Sequence, residues 1–336
     1  MDIAIVGATG NVGRKIIEVL ENKNFPVSEL YLIASSKSSG QKINFKDKKY
    51  TVIDLEKFDF SKSKIAFFAA GSSVAEKWAP IAAKKTIVID NSKYFRKDPN
   101  IPLVVPEVNS KDLSNFKNKN IIANANCSVI PMVVALKPLH DLYNIKRIVA
   151  STYQSVSGVG KAGTDELLSQ TKEYFEGKKI VSQNFTKQIA FNAIPHIDSF
   201  LENGSTKEEQ KNHDEVKKIL DKKINITSTC VRIPVLVSHS ISVNVEFHKD
   251  YDLNEIKSIL SKSPGCKVVD EQKDGGYVTP IEAENKYETF ISRIRKDSSQ
   301  AKSINLWIVC DNLLKGAALN AVEIAESLIK QNLHDK

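Results

Sequence analysis

The chain has 336 residues, with 48 lysines and arginines against 40 aspartates and glutamates and a formal charge of +8. That length fits two domains with a full core, and the ordinary apolar and charged fractions fit a soluble globular protein. The positive charge is mostly lysine scattered among acids, as in Lys207-Glu-Glu-Gln-Lys211, with no basic stripe interleaved with aromatics, which excludes a nucleic-acid partner; no apolar run approaches the ~18 residues of a membrane span.

In chain order, residues 2–6 read as a strand, 12–21 as an amphipathic helix, and 29–33 and 65–69 as strands. A helix over 75–84 precedes strands at 86–90, 102–105 and 120–123. This alternation predicts a parallel α/β sheet. Beyond it come a helix at 129–143, a strand rich in branched residues at 147–155, and helices at 164–175 and 207–222. Strands at 225–234 and 239–247, a helix at 253–261 and a strand at 302–309 follow, an α+β pattern. A final helix runs from Asp311, a suitable N-cap, to about Gln331. The first strand starts directly after Met1, with no signal peptide before it, which predicts a reduced, cytoplasmic setting.

Gly7-Ala-Thr9-Gly10-Asn11-Val12-Gly13 follows the first strand and opens the first helix. Small residues there let the turn close and let backbone N–H groups approach a pyrophosphate. Units of this kind that bind NAD carry an acid after the second strand. Here that strand runs into Ser35, Ser36, Lys37 and Ser38, whose hydroxyls and ammonium suit a 2′-phosphate and point to NADP.

The stretch Ile121-Ile-Ala-Asn-Ala-Asn126-Cys127-Ser128 brings a thiol to a strand-to-helix turn. A helix start stabilises a thiolate and an adjacent oxyanion, so Cys127 fits a nucleophile; it equally fits a small buried apolar residue. The other cysteines, Cys230, Cys266 and Cys310, lie far away with no CxxC spacing, against a metal site or a disulfide scaffold.

With these residues in place, the chain resembles the aspartate-semialdehyde dehydrogenases over nearly its whole length. Besides the two loops above, the matching segments are 90–96, 102–109, 124–128, Thr152-Tyr-Gln-Ser-Val-Ser-Gly-Val-Gly160, Val231-Arg-Ile-Pro234, His239-Ser240 and 311–322. The resemblance implies a Rossmann NADP-binding domain, residues 1–126 with 311–336, whose C-terminal helix returns to it. It also implies an α+β catalytic and dimerisation domain over 127–310, of the glyceraldehyde-phosphate dehydrogenase kind, in a homodimer. The implied reaction is NADPH-dependent reductive dephosphorylation of L-4-aspartyl phosphate to L-aspartate 4-semialdehyde and phosphate. It serves the biosynthesis of lysine, threonine, methionine and diaminopimelate.

By the same resemblance Cys127 attacks the acyl carbon, and the thioester formed accepts hydride. His239 takes the thiol proton and returns one, acting as an imidazole near its usual pKa. Gln154 orients the histidine and the acyl group, and the backbone N–H groups of Asn126 and Cys127 are oxyanion candidates. Arg232 clamps the α-carboxylate and Glu208 meets the α-ammonium. Arg96 and Lys211 hold phosphate. Gly71, Ser72, Ser157, Gly158 and Asn312 join the cofactor contacts, with helix capping an equal explanation for Asn312.

Two positions depart from the family pattern. Lys37 stands where an arginine is common, and Ile241 stands where a glutamate follows the catalytic histidine. Three other readings compete with this one. An N-acetyl-γ-glutamyl-phosphate reductase usually has Asn-Pro-Gly-Cys-Tyr around its cysteine and no use for Glu208. A glyceraldehyde-phosphate dehydrogenase-like enzyme wants an acid after the second strand. A non-catalytic NADP-binding regulator leaves Cys127, Gln154, Arg232 and His239 as coincidence.

Overall fold

A computed structural model describes residues 1–334, which divide into two compact units. The first is Met1–Ala125 with the chain from Ala317, and the second is Asn126–Gly316. In chain order the first unit holds β1 (Ile3–Val6), α1 (Asn11–Asn22), β2 (Leu30–Ala34), a hairpin of β3 (Lys42–Phe45) and β4 (Lys48–Thr51), and β5 (Ile53–Asp54). Then come β6 (Ile65–Phe68), α2 (Ser72–Ala82), β7 (Ile87–Asp90), β8 (Leu103–Val104), α3 (Pro106–Asn109) and β9 (Ile121–Asn124).

Seven of these strands pair in the order β5-β2-β1-β6-β7-β9-β8, all parallel. Crossovers cover both faces of such a sheet. That explains why β1, β6, β7 and β9 are buried at every position and carry apolar runs rather than alternation. From β1 the chain adds β2 on one side, and β6 begins growth on the other. The crevice at the carboxyl ends of β1 and β6 is the topological switch point, where open sheets take ligands.

The second unit holds α4 (Val129–Tyr143), β10 (Ile145–Gln154), α5 (Lys161–Phe175), α6 (Lys207–Ile219), β11 (Asn225–Arg232) and β12 (His239–Phe247). It continues with α7 (Leu253–Lys262), β13 (Cys266–Val268), α8 (Pro280–Ala283), β14 (Thr289–Lys296) and β15 (Ser303–Cys310). Its mixed sheet has the order β11-β10-β12-β15-β14-β13. Helices α4, α6 and α7 pack together against the sheet. On one face of the sheet, Ser151, Tyr153, Ser242 and Trp307 remain half-buried. The register places the chemistry. Parallel β10 and β11 end side by side at Gln154 and Arg232, and antiparallel β12 starts at that same end with His239.

The last helix differs from the single α-helix expected. Asp311 does cap its start, accepting the N–H groups of Leu313 at 2.8 Å and Leu314 at 3.0 Å. A π-helical turn over Leu314–Ala318 then precedes α9 (Leu319–Lys330). Helix α9 belongs to the first unit. There the Asn320 amide donates to Val104 O at 3.1 Å and to Asn124 Oδ1 at 2.6 Å, and Lys23 pairs with Glu326 at 3.0 Å. Residues 311–316 stay with the second unit, where Asn312 and Asp311 are hydrogen-bonded. Among the described residues no helix is long and apolar enough to cross a membrane.

Candidate active site

In the first unit, the Gly7–Gly13 turn joins β1 to α1. Gly7 has φ of 89°, a conformation open to glycine, and a Cβ there would lie 2.6 Å from Ala69 O in the loop after β6. A Cβ at Gly13 would lie 2.2 Å from Gly7 O, so the helix seats against the turn only without a side chain. Helix α1 has no side-chain cap at Gly10, the condition under which a helix start serves an anion. Thr9, Asn11 and Val12 lie half-buried in this turn. Gly71, at φ 86°, precedes α2, which begins at Ser72. Beyond β2, Ser35, Ser36 and Lys37 are exposed and Ser38 is half-buried in a 3-10 turn. Hydroxyls and an exposed ammonium beside a glycine cradle fit a 2′-phosphorylated dinucleotide. Arg96 is buried, with Nη2 donating to Asn91 O at 3.1 Å. Burial raises the pKa of nearby Asp90, while its bonds from Ser92 and the charge of Arg96 oppose that.

In the second unit, Cys127 sits one residue ahead of the Ser128 that precedes α4. None of the four cysteines forms a disulfide, but they are not alike. Cys230 and Cys310 are buried, and burial pushes the Cys230 thiol up to about 12 and Cys310 well above its ordinary value. Cys127 is half-buried, and its Sγ lies 3.3 Å from His239 Nε2. His239 Nδ1 is met by Ser155 N–H at 3.1 Å and Ser155 Oγ at 3.1 Å. Arg232 Nη1 donates to Ser155 O at 2.7 Å. A Cβ on Gly158 would lie 3.0 Å from Arg232 Nη1 and 3.7 Å from His239 Nε2, so the absent side chain keeps this corner open.

Helix α6 supplies the acids. Its buried face carries Glu208, Asn212 and Glu215, with Lys211 between them, at the i, i+3, i+4 and i+7 spacing of one helical stripe. Glu208 Oε1 accepts from Asn126 Nδ2 at 3.1 Å and Gln154 Nε2 at 3.2 Å, and Oε2 accepts from Lys211 Nζ at 2.6 Å. Burial opposes its charge. Lys211 and the two amides outweigh burial and hold the Glu208 carboxyl below its usual pKa. Likewise burial opposes the Lys211 charge, and Glu208 with Asp198 outweighs it and raises that pKa. Burial lowers the pKa of Arg232, an effect that Glu208 offsets in part.

Several expectations change. The Asn126 N–H is not open to an oxyanion, because Glu215 Oε2 accepts it at 2.6 Å. The Asn126 side chain holds the turn instead, its Oδ1 accepting Ser128 N–H at 2.9 Å. His239 is not an imidazole of ordinary pKa; burial, then the charge of Arg232, takes it down to about 3. Gln154 bonds Thr152 and Glu208, and Ser155 occupies the place beside the histidine. Lys211 spends two of its three donors on Glu208 and Asp198, the latter at 2.9 Å. Asn312 does not cap the helix, since Asp311 does. Its amide is spent on Ser155, Ser157 and Ser238. Ile241 is fully buried in β12, an apolar position with no second carboxylate.

The sequence reading missed Ser155, Ser128, Asn212 and Glu215. Glu215 was legible as seven residues beyond Glu208 on one helix, and Ser155 as the neighbour of Gln154. Asp198, in a loop with no periodicity, carried no signal.

Residues 2–116 match the family described as semialdehyde dehydrogenase, NAD binding domain, and residues 136–315 match semialdehyde dehydrogenase, dimerisation domain. The chain is 51% identical over 335 residues to the aspartate-semialdehyde dehydrogenase of Aquifex aeolicus (strain VF5), covering 98% of each chain. It is 48% identical over 333 residues to that of Rickettsia bellii (strain RML369-C), covering 99% of this chain and 98% of the other. The crystal structure of aspartate semialdehyde dehydrogenase II complexed with ASA from Vibrio cholerae superposes with a TM-score of 0.96 at 46% identity, covering 98% of both. With both domains matched and full-length relatives at this identity, the chain belongs to the aspartate-semialdehyde dehydrogenase family.

Proposed function

We propose that this protein catalyses the reductive dephosphorylation of L-4-aspartyl phosphate to L-aspartate 4-semialdehyde and phosphate, with NADPH as reductant. The observation that carries this reading is the Cys127–His239 contact of 3.3 Å, flanked by a buried cation at Arg232 and a buried anion at Glu208. A thiol beside an imidazole is the arrangement that covalent acyl transfer uses. Cys127 Sγ attacks the acyl carbon, the bond from that carbon to the phosphate oxygen breaks, a thioester forms, and the proton of the thiol leaves on the released phosphate. The bound cofactor supplies the hydride. The carbon–sulfur bond then breaks, releasing the aldehyde and restoring Cys127.

The substrate is an amino acid with an acylated side chain, so it brings a carboxylate, an ammonium and a phosphate. Arg232 is charged and its planar guanidinium suits the carboxylate. Glu208, held ionised by Lys211, suits the ammonium. The remaining Lys211 donor and Arg96 serve the phosphate. Gly7–Gly13, Ser35–Ser38, Gly71 and Ser72 would hold NADP. The Vibrio cholerae neighbour complexed with ASA supports the substrate. A homodimer is in keeping with the matched dimerisation domain and with the half-buried Tyr153–Trp307 face of the large sheet. A cytoplasmic setting suits cysteines outside any disulfide and a biosynthetic reaction.

The test is nicotinamide absorbance with purified protein, L-aspartate 4-semialdehyde, phosphate and NADP. Phosphate-dependent reduction of NADP is expected, and it disappears in Cys127→Ala while NADP still binds. Reduction that ignores phosphate, or survives in Cys127→Ala, removes the proposal.

A further inference from the structure

Glu208 is the group suited to the substrate's ammonium, yet another cation already lies on it. An ionised carboxylate has about four lone-pair sites. Asn126 Nδ2 at 3.1 Å and Gln154 Nε2 at 3.2 Å fill those of Oε1, and Lys211 Nζ at 2.6 Å fills one on Oε2. The place left for a substrate ammonium is therefore on the oxygen that Lys211 holds. Two ammonium groups on one oxygen repel each other. A Glu208–Lys211 pair by itself also has no net charge with which to attract a cation.

A second carboxylate changes that count. Asp198 Oδ2 accepts from Lys211 Nζ at 2.9 Å, so one lysine lies between two acids and the three groups together keep a negative charge. Burial opposes the Lys211 charge, and Glu208 with Asp198 preserves it. The loop that carries Asp198 is pinned on both sides. Before it, Ile194 exchanges backbone bonds with Arg232, at 2.9 and 2.8 Å. After it, the N–H of Lys207, where α6 begins, donates to Ser199 O at 2.8 Å. Asp198 itself has φ of 68°, a conformation that aspartate and asparagine tolerate. Its Oδ1 accepts Ser199 N–H at 3.0 Å, which leaves Oδ2 for the lysine.

We propose that Asp198 is a positioning residue for substrate selection: it draws Lys211 away from Glu208, and so keeps on Glu208 the negative charge that favours an amino acid over the same aldehyde without its amino group. The inference rests on the reaction proposed above and deepens it. Asp198 acts through Lys211 and touches neither substrate. Its effect on phosphate is the opposite one, because it shares the lysine that serves the phosphate and sets a like charge near a dianion. The ammonium and the phosphate therefore respond to Asp198 in opposite directions.

The test gives the full-length protein two aldehydes, L-aspartate 4-semialdehyde and 4-oxobutanoate, which lacks only the ammonium. Each is oxidised with NADP and phosphate, and the ratio of the two kcat/KM values reports what the ammonium contributes. Asp198→Asn keeps the shape, suits the same φ and removes the charge. We expect it to narrow the preference for the amino-acid aldehyde by about three- to tenfold, the scale of a partly screened charge pair, and to lower KM for phosphate. An unchanged ratio overturns the proposal. So does a rise in KM for phosphate, the result expected if Asp198 only braces its loop. Should Asp198→Asn fail to fold, Asp198→Gly removes the same charge at a φ that glycine favours, and the same outcomes apply. The ratio is also measured without turnover, as dissociation constants of the two aldehydes by calorimetry in Cys127→Ala with and without Asp198→Asn. A protein that shows the narrowed binding ratio but no phosphate-dependent activity sinks the reaction and leaves the role of Asp198 standing.

Discussion

His239 is a histidine whose surroundings forbid a charge. It is fully buried, and Arg232 stands close enough to disfavour protonation further; Glu208 acts in the opposite sense and does not prevail. The folded state holds the ring neutral down to about 3, against an ordinary value of 6.5. Between those values the unfolded chain binds a proton that the folded chain refuses. The stabilisation is therefore fully present above about pH 6.5 and is lost as pH falls toward 3. Denaturant melts at stepped pH are expected to show this slope, and a flatter one in His239→Asn; equal slopes would remove His239 as the cause. Arg232 gives a second prediction. Arg232→Lys keeps the charge and loses the planar fork and the hold on Ser155 O, so KM for aspartate semialdehyde rises at least about tenfold. An unchanged KM takes Arg232 out of substrate binding. Most of these side chains were legible in the sequence because each sits in a short segment of unusual composition: Cys127 after two asparagines, or Arg232 in a chain with six arginines. What the sequence left hidden was how the polar atoms are paired. Asn126 and Asn312 were identified, yet their hydrogen-bonding capacity goes to Glu208, Glu215 and serines that only the folded chain brings near.

Among the elements, α6 shows how a helix acts beyond its own residues. Its Thr206–Glu209 capping box fixes where it begins, and so which side chains form the buried stripe. At the far end of that stripe Glu215 accepts the N–H of Asn126, the residue before Cys127. Glu215→Gln keeps an acceptor and loses the charge. We expect a loss of up to about 1.5–3 kcal/mol in stability, the range for a hydrogen bond to a charged group, together with a lower kcat. Chemical denaturation and steady-state kinetics on the same preparation check this; full stability with full kcat would make Glu215 a bystander. The elements read most readily were those with one clear period. The helix at 129–143 and the strand at 239–247 run as expected. The β3–β4 hairpin and β14 lay outside the reading. Lys42–Phe45 and Lys48–Thr51 are lysine-rich edges with few apolar residues, and β14 ends in exposed Arg295 and Lys296 after a register shift against β15. The π-helical turn at 314–318 left no mark either, because a single extra residue per turn hardly alters an apolar stripe.

At the scale of the molecule, chain order and compact units disagree, and that has a measurable result. The first unit is closed by α9, from the far end of the sequence, through Asn320 on Asn124 and Val104 and through Lys23 on Glu326. A chain stopped after Gly316 lacks α9 and with it the buried side chains of Leu319, Val322, Ile324 and Leu328, so the surface of the first unit that they cover is exposed. We expect such a chain to lose the cooperative unfolding transition of the NADP-binding unit, which calorimetry would detect; a transition of unchanged midpoint would show α9 to be dispensable. The two-domain plan, the parallel sheet and the return of the last helix were all legible, because alternation of strand and helix is a long-range pattern that survives local ambiguity.

The charged stripe of α6 also sets a limit for anyone redesigning this protein. Glu208, Asn212 and Glu215 occupy positions where a core would ordinarily hold leucine or isoleucine. Buried ionic groups are often no more stabilising than apolar residues of similar volume. A thermostabilising search that scores burial alone will select hydrophobic replacements along this face. It will reach a tougher helix by erasing the polar framework around Cys127, so on α6 a gain in melting temperature is itself a warning of lost chemistry.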